Sequence, residues 1–231
     1  MIISAFMSAL AQMSDPRFRS VLLRGVGLAI AILFAISTVF IWGVGLFVGD
    51  AVSLPWIGDV QWLDNVLSWA MVPLMMILSV FLMVPVASAI TSLYLDDVAQ
   101  AVEDRHYSAL GPASEVSFAD GLRDTFSFLG VLIFANLVAL IFYVIVAPLA
   151  PFIFWALNGF LLGREYFTLA AMRRVGREEA AKLRKRHRMT IWAAGVLMAM
   201  PLSIPLVNLL IPVLGAATFT HIFHRLNMPG R

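Results

Sequence analysis

Residues 125–163 read TFSFLGVLIFANLVALIFYVIVAPLAPFIFWALNGFLLG, 39 residues without a charge. About 20 apolar residues carry a helix across the hydrocarbon core of a bilayer, so this stretch is nearly twice as long as one crossing needs. Pro148-Leu149-Ala150-Pro151 lies inside it, and proline ends a helix by removing a hydrogen-bond donor and crowding the preceding turn. The stretch therefore reads as two helical limbs joined at a proline corner. One limb, Thr125 to Ala147, has about 23 residues; the other, Phe152 to Gly163, keeps only 12 before Arg164. At 1.5 Å per residue the second limb reaches about 18 Å, against a core of roughly 30 Å. It dips into the membrane but does not cross it within its uncharged length.

Three more charge-free tracts surround this one: Gly25–Val48 (24 residues), Val66–Leu95 (30) and Met189–Thr220 (32). The last repeats the broken pattern, with Pro201, Pro205 and Pro212 dividing it into limbs of about 12 to 15 residues. Hydrophobic residues make up 61% of the 231 and charged ones 13%, against roughly 45–50% and about 25% in a soluble domain. The tracts are continuously apolar rather than alternating in segments of about ten, which excludes an outer-membrane β-barrel and requires backbone hydrogen bonds to close inside helices. The predicted fold is all-α and integral to the membrane. Two long transmembrane helices, Gly25–Val48 and Val66–Leu95, precede two partly penetrating, re-entrant helical hairpins. Residues 1–231 form one membrane domain: a cytoplasmic amphipathic start and turn (1–20), the two long helices (21–105), a first hairpin with a basic cytoplasmic helix (120–188), and a second hairpin with the tail (189–231).

Orientation follows from Lys and Arg. Three precede the first tract (Arg17, Arg19, Arg24), none lies between the first and second, and nine lie between the third and fourth (Arg164 to Arg188). Cytoplasmic loops carry the positive excess, which places both termini in the cytoplasm of a multi-pass protein and the first loop outside. Since the chain is already cytoplasmic after the second tract and again after the third, the third must enter and return. Trp42, Trp56, Trp62 and Trp69 gather around the outer loop as interfacial aromatics do. Pro73 and Pro85 should kink the second crossing. It should continue beyond Leu95 as a cytoplasmic helix, with Asp96, Asp97, Gln100, Glu103 and Asp104 on a polar face opposite Val98 and Val102. Gly111-Pro112-Ala113-Ser114 reads as a turn. The first 13 residues hold an apolar run and Ala9-Leu10-Ala11 but no basic n-region, and are expected to form a short helix on the membrane surface.

The net charge of +2 is small and its basic residues cluster, so they report topology and lipid contact rather than a nucleic-acid surface. With no cysteine, a disulfide or thiolate metal site is impossible. His221 and His224 share a helix face but lack a third ligand nearby, so no metal is expected. No cofactor motif or catalytic set is visible, and no enzymatic activity is expected.

The stretch Asn158-Gly159-Phe160-Leu161-Leu162-Gly163-Arg164-Glu165-Tyr166-Phe167, with Ala170-Ala171-Met172-Arg173-Arg174 after it, resembles the CysZ-type sulfate permeases and the wider etoposide-induced-protein-like family. So do Ile204-Pro205-Leu206-Val207-Asn208-Leu209-Leu210-Ile211-Pro212-Val213 with Gly215-Ala216-Ala217-Thr218, and, more loosely, Ser92 to Val98. The resemblance implies a homo-oligomeric sulfate-uptake protein of the bacterial inner membrane that feeds cysteine synthesis. It also implies a sulfate site in the turn before the first long helix, where the family carries proline, glycine, an aliphatic residue and two arginines. The corresponding residues here are Pro16, Arg17, Phe18, Arg19 and Ser20, of which only Arg19 keeps an arginine in register. Such a site needs donors free of a competing carboxylate, and Arg17 and Arg19 stand at a helix start whose free N–H groups favour anions. Their alternative role is to anchor the helix to lipid phosphates.

Ionisable groups beside an apolar tract must be paired or hydrated, so Arg164 and Glu165 either satisfy each other or line a conduction path. Asn136, Asn158 and Asn208 either bond between helices or face a pore. Asp97, Glu103, Arg105 and Arg123 complete the candidate charge network. Sulfate carries two charges, so an inside-negative potential of about 100 mV opposes its uptake by roughly 4.6 kcal/mol. Proton coupling would need a titratable group, with Asp97, Glu103 and Glu165 as candidates. A non-transporting scaffold or lipid-binding protein, or a carrier of another small solute, is the alternative.

Overall fold

Four of the described prolines begin helices. In a computed structural model, Pro16, Pro151, Pro205 and Pro212 each occupy the first turn of a helix, where the missing N–H would have had no partner and the fixed φ suits the helix. The structure describes residues 1–47, 53–54, 58–59, 94–111, 113–114, 116–208 and 210–227. Its helices are α1 (Ile2–Ala11), α2 (Pro16–Phe47), α3 (Leu95–His106), α4 (Phe118–Ile145), α5 (Ala150–Arg186), α6 (Arg188–Ala199), α7 (Pro205–Asn208) and α8 (Ile211–Asn227). The chain divides into two compact units, one of residues 1–22 and 91–231, the other of residues 23–90. In the second unit α2 is followed by a minimal antiparallel pair, Ser53 opposite Asp59 and Leu54 opposite Gly58. The expected second crossing, with Trp56, Trp62, Trp69, Pro73 and Pro85, lies outside the described residues apart from its last two positions.

Two helical stretches, Pro16–Val39 and Ala119–Ile145, are long and apolar enough to cross a membrane. A buried core helix passes the same test of composition, but only 6% of the most apolar 18 residues of the second stretch is buried. Phe126, Ile133, Phe134, Leu137, Ile141 and Val144 of α4 all stand exposed, and each apolar side chain left in water forgoes roughly 1.5–3 kcal/mol. Lipid or another protein surface has to cover this helix.

At the corner between α4 and α5 the backbone leaves the helix at Val146 (φ −130°, ψ 54°) and makes a 3-10 turn over Ala147–Leu149. The proline break expected there is present. The helix that follows is not limited to twelve residues, however. It runs through Arg164 and Glu165 as far as Gly176, whose φ of 75° interrupts α5. That is about 39 Å of helix for 150–175, because side-chain charge alone does not end a helix. The second break, a 3-10 turn over Met200–Ser203 with extended Ile204, separates α6 from α7.

In the first unit α8 is the axis. Every residue from Ile211 to His224 is buried, as befits a helix enclosed on all sides. α1, α3, α5 and α6 pack around it. α1 turns Ala5 and Ala9 inward and leaves Ile3, Met7 and Leu10 exposed. Tyr166 and Phe167 of α5 meet Phe219 and Phe223 of α8 at ring separations of 6.1 and 6.2 Å.

Candidate functional site: a buried charge centre and two flanking cavities

Three elements of the core converge on one carboxylate. Glu103 of α3 was expected on the polar face, yet it is 2% exposed and shares the buried side with Val98, Ala99 and Val102. Glu103 turns inward because Arg174 and His224 lie on the packed side and offset the desolvation of its charge. Arg174 grips the carboxylate with both arms, Nε donating to Oε1 at 3.0 Å and Nη2 to Oε2 at 2.6 Å. His224 Nε2 donates to Oε1 at 2.9 Å, and Arg173 Nη1 to Oε2 at 3.5 Å. Burial alone would raise the pKa of Glu103, but the His224 and Arg174 hydrogen bonds and the two guanidinium charges outweigh it and lower it to about 2. A carboxylate held there stays ionised at neutral pH, which removes Glu103 from the candidates for a proton carrier.

The arginines are secured in turn. Arg173 Nη2 donates to Gln100 Oε1 at 2.7 Å, and Arg174 Nη1 to the Gly111 carbonyl at 2.7 Å. The kink at Gly176 leaves carbonyls of the preceding turn without helical partners, and Ser114 takes that of Arg173 with both its N–H (3.1 Å) and its hydroxyl (2.9 Å). With its cations committed to Glu103, the centre acts as a clamp joining α3, α5 and α8, and leaves little for a free anion to bind.

Beside it, the Tyr107 hydroxyl sits 3.0 Å from His221 Nδ1, and the His106 ring packs edge-on at 4.8 Å. Burial first, then the charges of His106, Arg225 and His224, push the His221 imidazole down to about 3. A histidine depressed from 6.5 is neutral when folded, so its contribution to stability is complete above pH 6.5 and is lost as pH falls towards 3. By pH 5 about 2 kcal/mol is expected to be gone. His221→Gln should flatten the fall in melting temperature between pH 7.5 and 5; an unchanged slope would refute the assignment. Among the described residues no cluster of three or more His, Cys, Asp or Glu side chains could hold a metal ion.

The start of α2 is arranged differently from what its arginines imply. Asp15 caps the helix, its Oδ1 accepting from the Arg17 N–H at 2.9 Å. The Arg17 guanidinium forms an ion pair with Asp104, which also accepts from Gln100 Nε2 at 2.8 Å. Arg105 stands 3.8 Å from Asp15. Phe18 is fully buried and packs in the core, Ser20 is half-buried, and Arg19 is exposed. Two carboxylates thus already occupy donors that an anion would use, and Arg19 is the arginine left facing outward.

The remaining candidates are dispersed. Asp97 and Arg123 are exposed. Asn136 and Asn158 bond back to carbonyls of their own helices, at Leu132 and Phe154, both 2.9 Å. Asn208 is half-buried in α7. Arg164 and Glu165 do not form an ion pair with each other. Arg164 donates to Ser127 Oγ at 3.0 Å and lies 5.8 Å from the centre of the Phe128 ring. Both line a cavity of about 540 Å³ with Asp96, Asp124 and Arg173. A second cavity, of about 360 Å³, lies on the other side of Arg164 and includes Arg184, Lys185, Arg188 and Trp192. Arg173, Arg174 and His224 escaped the sequence-based charge network. The one clue, adjacent arginines eight residues beyond Glu165, says nothing about a partner 70 positions away.

Apolar helices that the protein leaves uncovered, broken by prolines and tied together by buried charge, define an all-helical membrane protein. The chain belongs to the family described as Sulfate transporter CysZ/Etoposide-induced protein 2.4, which matches residues 5–212. It is a family of transporter type. No curated protein matches the chain in sequence.

Proposed function

We propose that this protein takes up sulfate, or a similar oxyanion, through the bacterial inner membrane and supplies it for cysteine synthesis. Both termini are cytoplasmic, and the pairs α4–α5 and α6–α8 act as re-entrant hairpins within a homo-oligomer. The observation that carries this reading is irregular backbone inside apolar tracts, at 146–149 and 200–204, in a chain of the sulfate transporter family. Such backbone is tolerated at membrane depth only where protein buries it or water fills the space beside it. The uncovered α4 supports the oligomer, since a second copy can shield what the first unit leaves open.

Arg19, with Ser20, is the first contact for the anion, and Arg17 joins once it exchanges Asp104 for the substrate. Phe18 holds this turn in the core. Glu165, pushed up by burial and lining the larger cavity, is the carboxylate best placed to carry a coupled proton. The test is uptake of radiolabelled sulfate into proteoliposomes, with and without a pH gradient. Arg19→Ala is expected to lower uptake by at least about tenfold, because a charge-assisted hydrogen bond is worth about 1.5–3 kcal/mol. The occupied donors at the α2 start favour a second reading, a membrane scaffold without transport. It predicts no uptake above empty vesicles and no effect of Arg19→Ala beyond expression level.

A further inference from the structure

The cavity of about 360 Å³ differs from every other charged region described in this chain: four cations line it, Arg164, Arg184, Lys185 and Arg188, and no carboxylate does. Each of the four is also outside the ion pairs formed among the described residues. Arg164 spends one arm on the Ser127 hydroxyl, and Arg184 Nη1 donates to the Thr168 hydroxyl, so neutral oxygens position these guanidinium groups without neutralising them. Burial first, and then the charge of Arg164, hold Arg184 below its ordinary value. Asp124, whose charge acts on both Arg164 and Arg184, lines the other cavity. Four like charges around so small a volume repel one another, and they persist because the fold places them there rather than because they pair.

The opposite wall is apolar. Trp192 is pinned by its Nε1 donating to the Ala156 carbonyl at 3.0 Å, and Phe160 stands beside the cavity, 45% exposed. The cationic side sits where the third charge-free tract ends, at Gly163, and the fourth begins, at Met189. Cationic groups above an apolar wall, at the boundary of membrane-depth segments, form a setting in which phosphate-bearing headgroups bind. Arginine forks suit a tetrahedral oxyanion geometrically, and lysine adds a mobile point charge.

We propose that the cleft formed by Arg164, Arg184, Lys185 and Arg188 binds a tetrahedral oxyanion group of the phosphate or sulfate type, with Trp192 and Phe160 lining its apolar side. The site is separate from the α2 start and does not depend on transport. The group is carried either by the headgroup of an anionic glycerolipid or by a free ion.

The test uses the full-length protein in detergent at fixed ionic strength, with two probes: phosphatidylglycerol, read by native mass spectrometry against phosphatidylcholine, and radiolabelled sulfate, read by equilibrium binding. The exposed pair Lys185→Gln/Arg188→Gln leaves the core untouched. At about fivefold for each cation removed, it is expected to weaken binding roughly twenty-fivefold. Lys182→Gln/Arg186→Gln removes the same charge from the same run but outside the cleft, and should change little. Loss of phosphatidylglycerol alone identifies a headgroup site; loss of sulfate binding identifies a free-ion site; both outcomes support the cleft. No binding of either probe by the unaltered protein, or equal losses in the two double variants, would overturn it. Arg19→Ala should leave binding at the cleft unchanged, which separates this inference from the fate of the uptake reading.

Discussion

Glu103→Ala is expected to lower the melting temperature of the purified protein by roughly 6–20 °C. Removing one partner of a buried ion pair costs about 3–5 kcal/mol, because the other partner stays buried and uncompensated. For a chain of this size each kcal/mol moves the midpoint by about 2–4 °C. Here the loss falls on three groups at once: Arg174, which holds the carboxylate through two bonds, Arg173, and His224, 1% exposed. Asp96, on the same helix, stands 3.4 Å from Arg173 Nε but is 70% exposed, so Asp96→Asn should shift the midpoint by no more than about 1 kcal/mol allows. Thermal unfolding followed by size-exclusion chromatography compares the two. Equal midpoints for Glu103→Ala and the unaltered protein would show that the clamp is not what holds α3 to α5 and α8. The pH dependence adds a check of sign. A carboxylate held at about 2 contributes fully above its ordinary 4.5 and loses that contribution only as pH falls through 2, so the difference between the two proteins should persist at pH 5.

Gly195→Leu is expected to prevent α5 and α6 from packing at all. A Cβ at position 195 would lie 1.9 Å from the Gly159 carbonyl oxygen and 2.9 Å from the Gly163 nitrogen. Those are backbone atoms of the facing helix, so no rotamer change relieves the contact. Gly159 and Gly163 are four apart and present one face, the small-xxx-small arrangement that lets membrane helices approach closely. Overpacking a core costs about 1–3 kcal/mol where side chains can adjust, and more is expected where only backbone can move. The measured outcome is loss of monodisperse protein on solubilisation. Gly130→Leu, on α4 where a Cβ would meet nothing within 4 Å, serves as the control. Recovery of folded Gly195→Leu protein at the unaltered level would contradict the packing.

Much of this architecture follows from chain chemistry that acts locally. The 39 residues from Thr125 to Gly163 had to be helical because apolar backbone at membrane depth has no other way to close its hydrogen bonds, and they had to break near Pro148 because proline supplies no donor. Both features are present. The length of the limb after the break was less legible: charge marks where a helix leaves hydrocarbon, whereas the helix itself ends only at a backbone feature, here Gly176.

The site was legible only in fragments. Glu103 was readable as an ionisable group on a helix, but an i, i+3, i+4 pattern of acids does not tell which member faces a neighbour. Glu103 and Asp104 are adjacent, one buried against Arg174 and the other exposed with Arg17, and the choice depends on residues 70 positions away. Arg17 and Arg19 looked like equivalent donors at a helix start, until Asp15 and Asp104 took up the first.

Sequence alone determined membrane residence, helical class and the positions of the breaks, because each depends on the composition of a continuous stretch or on one proline. Tertiary structure decided which charges neutralise each other and which are left to bind something else. Arg173 and Arg174 are matched to a carboxylate, while Arg164, Arg184, Lys185 and Arg188 are gathered without one. Electrostatic pairing acts over a few ångströms of space whatever the separation in sequence, so only the folded chain settles it.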